Sequence, residues 1–160
     1  MIIRKLIPQD KEELKKLLWA FYIEDIKRFS DEVQKFEAYK NDQKTIEKTA
    51  IEYLSEDKNK FITYVAAEEY RLMGFIRGEI KNKTDKKNYY KEGYIQDWFV
   101  EPENQGKKIG KELFNKLVEK FKLLGCTHVL LDTLIENITA QEIYHKMGFK
   151  DKALMLVKEL

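Results

Sequence analysis

The chain has 160 residues, 43% apolar and 36% charged, and its 30 lysines and arginines nearly balance 28 aspartates and glutamates for a formal charge of +2. That is the size and make-up of a single domain over 1–160 with a core of its own, and it excludes a disordered or fibrous chain. So small a net charge supplies no molecule-wide field for nucleic acid or membrane. The lone Cys126 cannot form an internal disulfide and reads as a small core filler in a reducing compartment. The start "MIIRKLIPQD" is too short and too charged for a signal peptide, and no apolar run approaches the ~20 residues of a membrane span. A soluble, cytoplasmic protein is expected.

In chain order, residues 2–7 form a short β-like run that Pro8 ends. Leu14, Leu17, Leu18, Phe21 and Tyr22 then recur at helical spacing. Residues 31–56 are helical in character, with Ile46, Ala50, Tyr53 and Leu54 as the clearest stripe. The period then changes: "FITYVAA" (61–67) and "LMGFIRGEI" (72–80) are β-rich and joined by a short polar turn, an antiparallel pair. The lysine-rich "KNKTDKKNYYK" (81–91) reads as a solvated loop, with RNA contact as the alternative. "GYIQDWFV" (93–100) is a third strand.

A helix over about 106–124 carries Ile109, Leu113, Leu117 and Phe121 in one row, with Gly125 as its cap. Residues 127–133 form a strand, Ala140, Ile143, Tyr144 and Met147 face one side of a last helix ended by Gly148, and "ALMLVKEL" closes the chain as a strand. The order β-α-α-β-β-β-α-β-α-β is mixed α/β. Its strand–helix–strand unit implies a parallel pair with a ligand site at the strands' carboxyl ends.

That end reads "VEPENQGKKIGKEL" (100–113), a helix start crowded with Lys107, Lys108 and Lys111. A helix start already carries about half a positive charge, so cations there are disfavoured by ~0.3–1 kcal/mol each. A bound phosphate, held by the N–H groups of residues 106–111, would remove the conflict, and lysines bent away into solvent are the alternative. The spacing is not a P-loop: three residues rather than four separate Gly106 and Gly110, and Glu112 follows Lys111. No dinucleotide fingerprint is present either.

Two motifs carry a resemblance. Gln105-Gly106-Lys107-Lys108-Ile109-Gly110 is similar to the pyrophosphate loop Gln/Arg-x-x-Gly-x-Gly/Ala, and "NITAQEIYHKMGF" holds Asn137, Ala140, Tyr144, Gly148 and Phe149 in a second signature. In both, and in element order, the chain resembles the GNAT superfamily of N-acetyltransferases. The resemblance implies the GNAT acyl-CoA N-acyltransferase fold, a central mixed β-sheet flanked by helices, with acetyl-CoA as cosubstrate and no metal. By the same resemblance the backbone of Trp98, Phe99 and Val100 pairs with the pantetheine arm. Gln105, Gly106, Lys107, Lys108, Ile109, Gly110 and Lys111 hold the pyrophosphate, and Asn137, Ala140 and Tyr144 lie along the arm. Lys108 departs from the family loop by replacing its first glycine. A positive φ would cost a lysine about 1–2 kcal/mol, so a helical φ is expected there.

Acetyl transfer to an amine needs a base, an oxyanion donor and an acid for the thiolate. Tyr144 is the candidate acid. The polyamine-acetyltransferase branch has a glutamate where this chain has Gln96, which takes no proton, so Asp97 is the first candidate base. Strand alternation turns Asp97 to the opposite face unless a bulge intervenes; Glu79, Glu24 and Asp25 are the other candidates. Glu24, Asp25, Asp31 and Glu32 cluster where the resemblance implies the acceptor pocket, suited to a cationic acceptor such as a polyamine or aminoglycoside; a solvated helix end explains the cluster equally well. Neither His128 nor His145 has a second ligand at metal spacing. The resemblance thus implies an N-acetyltransferase of small primary amines, with no nucleic-acid or membrane partner, and admits a homodimer. A protein or peptide N-acetyltransferase and a catalytically silent acyl-CoA-binding module, the latter favoured by Gln96 and Lys108, are the alternatives.

Overall fold

A computed structural model describes residues 1–28, 30–31, 42–84 and 89–158. Its elements are β1 (Ile2–Lys5), α1 (Lys11–Arg28), α2 (Gln43–Ser55), β2 (Phe61–Glu68), β3 (Arg71–Thr84), β4 (Tyr89–Val100), α3 (Ile109–Leu123), β5 (Cys126–Leu130) and α4 (Ile138–Lys146). Single 3-10 turns at Pro8–Asp10 and Pro102–Asn104 follow β1 and β4, each beginning with a proline. The strands lie in the order β1-β2-β3-β4-β5, antiparallel except for the parallel pair β4/β5.

Each face of the sheet has its own core. On one, Leu14, Leu17 and Leu18 of α1 and Ile46 and Ala50 of α2 cover Val65, Leu72, Phe75 and Phe99. On the other, Ile109, Leu113, Leu117 and Phe121 of α3 cover Ile62, Ile76, Ile80 and Ile95. Alternation along β3 and β4 sends successive side chains to these two layers. Phe121 seats directly on Gly78 and Gly93, where an added Cβ would lie 2.5 and 2.3 Å from its ring.

Three expectations are corrected. The lysine run is not a loop over 81–91: Lys81, Asn82, Lys83 and Thr84 pair across the ladder with Glu92, Lys91, Tyr90 and Tyr89, and residues 85–88 lie outside those described. Across the ladder the Glu92 carboxylate lies 4.0 Å from Lys83 Nζ, an opposite-charge pair that helps extend the hairpin. Boundaries also move: β4 starts at Tyr89 rather than residue 93, β5 is Cys126–Leu130 rather than 127–133, and α3 starts at Ile109 rather than near 106. Finally, no strand forms over residues 153–158, and 159–160 lie outside the described residues. Leu154, Met155, Leu156 and Val157 are 69, 91, 83 and 67% exposed. Strand propensity acts only where a ladder and an apolar face are at hand, and this segment has neither. Residues 32–41, part of the expected helical region 31–56, also lie outside the described residues. Among the described residues, no helix is long and apolar enough to cross a membrane.

Candidate active site

From the end of β4 the chain turns through Pro102–Asn104, Gln105 and Gly106 (φ 77°) to Lys108 (φ 65°, ψ 2°), the residue that precedes α3. Lys108 is left-handed, not helical as expected. The chain must swing from a strand exit into a helix axis within a few residues, and two positive φ values, at Gly106 and Lys108, make the turn. Strain of about 1–2 kcal/mol is thus stored at this point. Nothing lies within 4 Å of a Cβ built on Gly106, so its φ, not crowding, calls for glycine.

No side chain caps α3, and its first backbone bond runs from the Glu112 N–H to the Lys108 carbonyl. The N–H groups of Ile109, Gly110 and Lys111 therefore have no intrahelical acceptor. Lys107 donates to Asn104 Oδ1 at 3.0 Å, and among the described residues neither Lys108 nor Lys111 has an ion pair. Gln105 folds back, its Nε2 donating to the Val100 carbonyl at 3.0 Å. Uncapped donors, a dipole and two unpaired ammonium groups form a cradle that suits a diphosphate.

Beside this cradle the sheet opens. The β4/β5 ladder runs from Lys91–Cys126 to Tyr94–Leu130 and stops, leaving the rest of β4 with no strand partner on that side among the described residues. The Glu101 N–H bonds the Met73 carbonyl; alternation then points the Phe99 and Asp97 N–H groups toward β3 and those of Trp98 and Val100 toward the opening. An extended ligand arm can pair there as a strand would.

The wall on the α3 side is aromatic. Trp98 stacks on Phe114 (5.4 Å, 18°) and on Tyr144 (5.9 Å, 23°), and Phe149 closes edge-on against both Phe114 and Tyr144 (5.9 and 6.0 Å). Tyr144 is held by the ends of its own helix. Asn137 Oδ1 accepts the Ala140 N–H at 3.3 Å, capping the start of α4. At the other end Gly148 takes φ 91°, and the Phe149 N–H returns to the Tyr144 carbonyl at 3.0 Å. The second motif is therefore a doubly capped helix that presents one tyrosine.

The model of the acetyltransferase (GNAT) family matches residues 12–149. The chain belongs to this family. It is 33% identical over 72 residues to the glucosamine 6-phosphate N-acetyltransferase of Arabidopsis thaliana, covering 45% of this chain and 46% of that one. The matches span about half the length of such curated relatives. The fold is that of a Bacillus halodurans protein (TM-score 0.80, 19% identity, 100 and 99% of the two chains). It is also that of an aminoglycoside N-acetyltransferase crystallised with CoA (TM-score 0.76, 16% identity, 99 and 93%).

On the opposite sheet face of this GNAT chain, the bulge left open by the sequence is present. Arg77 pairs with Asp97 and Gly78 with Ile95, so Gln96 is an extra residue, and Asp97 turns toward α1 and α2. Asp97 Oδ2 accepts the Tyr53 hydroxyl at 2.6 Å and lies 3.7 Å from Arg77 Nη1. Arg77 sits between the rings of Tyr53 and Phe61 (4.5 and 4.7 Å) and bonds Glu56, with Nε–Oε2 at 3.1 Å. Gln96 spans the network: its Oε1 accepts from Arg77, and its Nε2 donates to Glu79 Oε2 at 3.1 Å. Burial pushes the Asp97 carboxyl above the ordinary carboxylate range, against the opposing pull of Tyr53 and Arg77. Burial likewise drives the Tyr53 hydroxyl well up, helped by the Asp97 charge.

The other candidate bases are occupied differently. Glu79 also binds Lys60 (3.1 Å), Glu24 binds Lys27 (3.1 Å), and Asp25 lies near Tyr22; Glu32, of the expected acidic cluster, lies outside the described residues. His128 Nδ1 meets Thr127 Oγ1 at 2.8 Å, and His145 Nε2 meets Asp151 Oδ1 at 2.8 Å. Among the described residues no group of three His, Cys, Asp or Glu could hold a metal ion. Sequence reasoning missed Arg77, Glu56 and the polar role of Tyr53. The one available signal was an arginine inside the apolar run "LMGFIRGEI", because a charge on a buried strand needs partners.

Proposed function

We propose that the chain transfers an acetyl group from acetyl-CoA directly to the primary amine of a small, cationic acceptor such as a polyamine or aminoglycoside. The observation that carries this reading is the uncapped start of α3, with unpaired Lys108 and Lys111, opening beside the free edge of β4. Family membership and a similar fold crystallised with CoA support the cosubstrate.

Acetyl-CoA supplies the thioester, and this chain's residues do the rest. Residues 105–111 hold the diphosphate, with Lys107 reaching it after release from Asn104 or shaping the loop through that bond. Trp98 and Val100 bind the arm through β4. Asp97 takes the amine proton as nitrogen bonds to the carbonyl carbon, an open β4 N–H stabilises the oxyanion, and Tyr144 gives its proton to the departing sulfur. A tyrosine (pKa about 10) is a weaker acid than a thiol (about 8.5), so full transfer before cleavage is uphill by about 2 kcal/mol; coupling to carbon–sulfur cleavage lowers that barrier. The acceptor enters from the α1/α2 face, where Asp25, Glu52 and Asp97 all lie near Tyr22, a field that favours a cation.

The test is calorimetric titration with CoA, followed by thiol release from acetyl-CoA with a panel of amines. Binding with release from a cationic amine is the expected result. Binding with no release from any amine favours the silent module, and absence of binding at millimolar CoA overturns both. Faster release with peptide amines than with small ones favours the protein acetyltransferase.

A further inference from the structure

We propose that Tyr53 is a positioning residue for acyl transfer, fixing Asp97 through Oδ2 so that Oδ1 is left to receive the proton of the incoming amine. The inference rests on the reading of Asp97 as base. Oδ2 is the occupied oxygen: it accepts the Tyr53 hydroxyl at 2.6 Å and has the Arg77 charge nearby, Nη1 at 3.7 Å. Oδ1 has no hydrogen-bond partner among the described residues, although the side chain is only 22% exposed. A carboxylate oxygen so enclosed and unpaired is costly unless a donor comes to it, and an amine is a donor.

Three features separate this from packing. First, Tyr53 already packs edge-on against Phe75 (6.1 Å) and stacks on the Arg77 guanidinium; a phenylalanine would do both, so the hydroxyl serves Asp97. Second, Glu56 bonds Arg77 through both Nε and Nη2. Its fork is thereby drawn away from Asp97, which keeps the longer contact and its usable charge. Third, Tyr53 comes from α2 and Asp97 from the bulge in β4, so the bond ties the helix covering the acceptor side to the residue at the opening. The charged and titratable groups around Asp97 are Tyr22 and Asp25 from α1, Glu52 and Tyr53 from α2, Glu56 beyond it, and Arg77 and Glu79 from β3.

The base works only when ionised, so activity falls as pH drops through its titration. The Tyr53 hydroxyl favours the ion, and its removal moves that titration to higher pH. The experiment follows the Asp97 carboxyl by carbon-detected NMR in wild type and Tyr53→Phe, and measures kcat/KM against pH for both with the best amine. The expected result is an upward move of about one pH unit in both, a kcat about tenfold lower, CoA affinity nearly unchanged, and a melting temperature lower by only about 3–5 °C, so that the fold is kept. In an Asp97→Asn background, Tyr53→Phe should add nothing further to the loss of kcat. An Asp97 resonance that titrates identically in the two proteins overturns the positioning role whether or not turnover is seen. Losses that multiply in the double variant overturn it as well. A shifted Asp97 in a protein with no turnover instead overturns the transferase reading, and the two failures are thereby distinct.

Discussion

Lys108 holds a conformation that its side chain disfavours, at the point where we propose an anion is gripped. A helical φ was expected because the surrounding loop and helix pattern are otherwise intact; the left-handed φ is instead the one that the glycine of the resembling loop would take without strain. Lys108→Gly is expected to raise stability by about 1 kcal/mol, or ~2–4 °C in melting temperature, and to weaken CoA binding through the lost cation; scanning calorimetry and titration check the two effects. Tyr144→Phe keeps the stack on Trp98 and the edge contact with Phe149, so CoA affinity should hold while turnover falls at least ~10-fold. Unchanged turnover would remove the assigned acid. Asp97 was legible as a candidate because it follows Gln96, which stands where the resembling polyamine-acetyltransferase branch has a glutamate. Its partner Tyr53 was not, since 44 residues separate them and a tyrosine on a helical stripe looks like core.

Among the elements, those with a strong period and a cap were readable: α3 with its four-residue apolar row, and α4 with Asn137 and Gly148 at its ends. The bulge at Gln96 was not. One inserted residue leaves composition and propensity intact while reversing which face Asp97 occupies, so only the register between β3 and β4 reveals it. The divergence of β4 from β5 was equally hidden, since it is the absence of a neighbour. That absence has a measurable signature in amide exchange. The N–H groups of Trp98 and Val100, directed into the opening, should exchange fast in the free protein, and CoA should slow them at least tenfold; those of Phe99 and Asp97, directed at β3, should stay slow throughout. Equal protection of all four without CoA would contradict an open edge.

At the scale of the molecule the sheet separates two tasks. The α3 side carries the cradle and the aromatic wall with Tyr144, the proposed acid, and the α1/α2 side carries Asp97, the proposed base, and the proposed acceptor approach, with the opening between them. Two surface concavities lie elsewhere. One, of about 530 Å³, sits outside the loop by Glu103, Asn104 and Lys107. The other, of about 920 Å³, is walled largely by lysines and lies at the start of β4, the end away from the cradle. A formal charge of +2 conceals this concentration of cations, which composition alone cannot locate.

The stretch 153–158 makes the chain sticky. It is apolar, unzipped, and belongs to a molecule in which one edge strand, β5, spans five residues and has one flank bare among the described residues. Such a strip seeks a ladder to join, and at high protein concentration the nearest ladder is a neighbour's. Sedimentation velocity should show self-association that grows with concentration and disappears when the chain is cut after Lys152. The cut should leave melting nearly unchanged, because those side chains shelter little from water. Identical sedimentation of the two forms would mean that the strip clings to nothing.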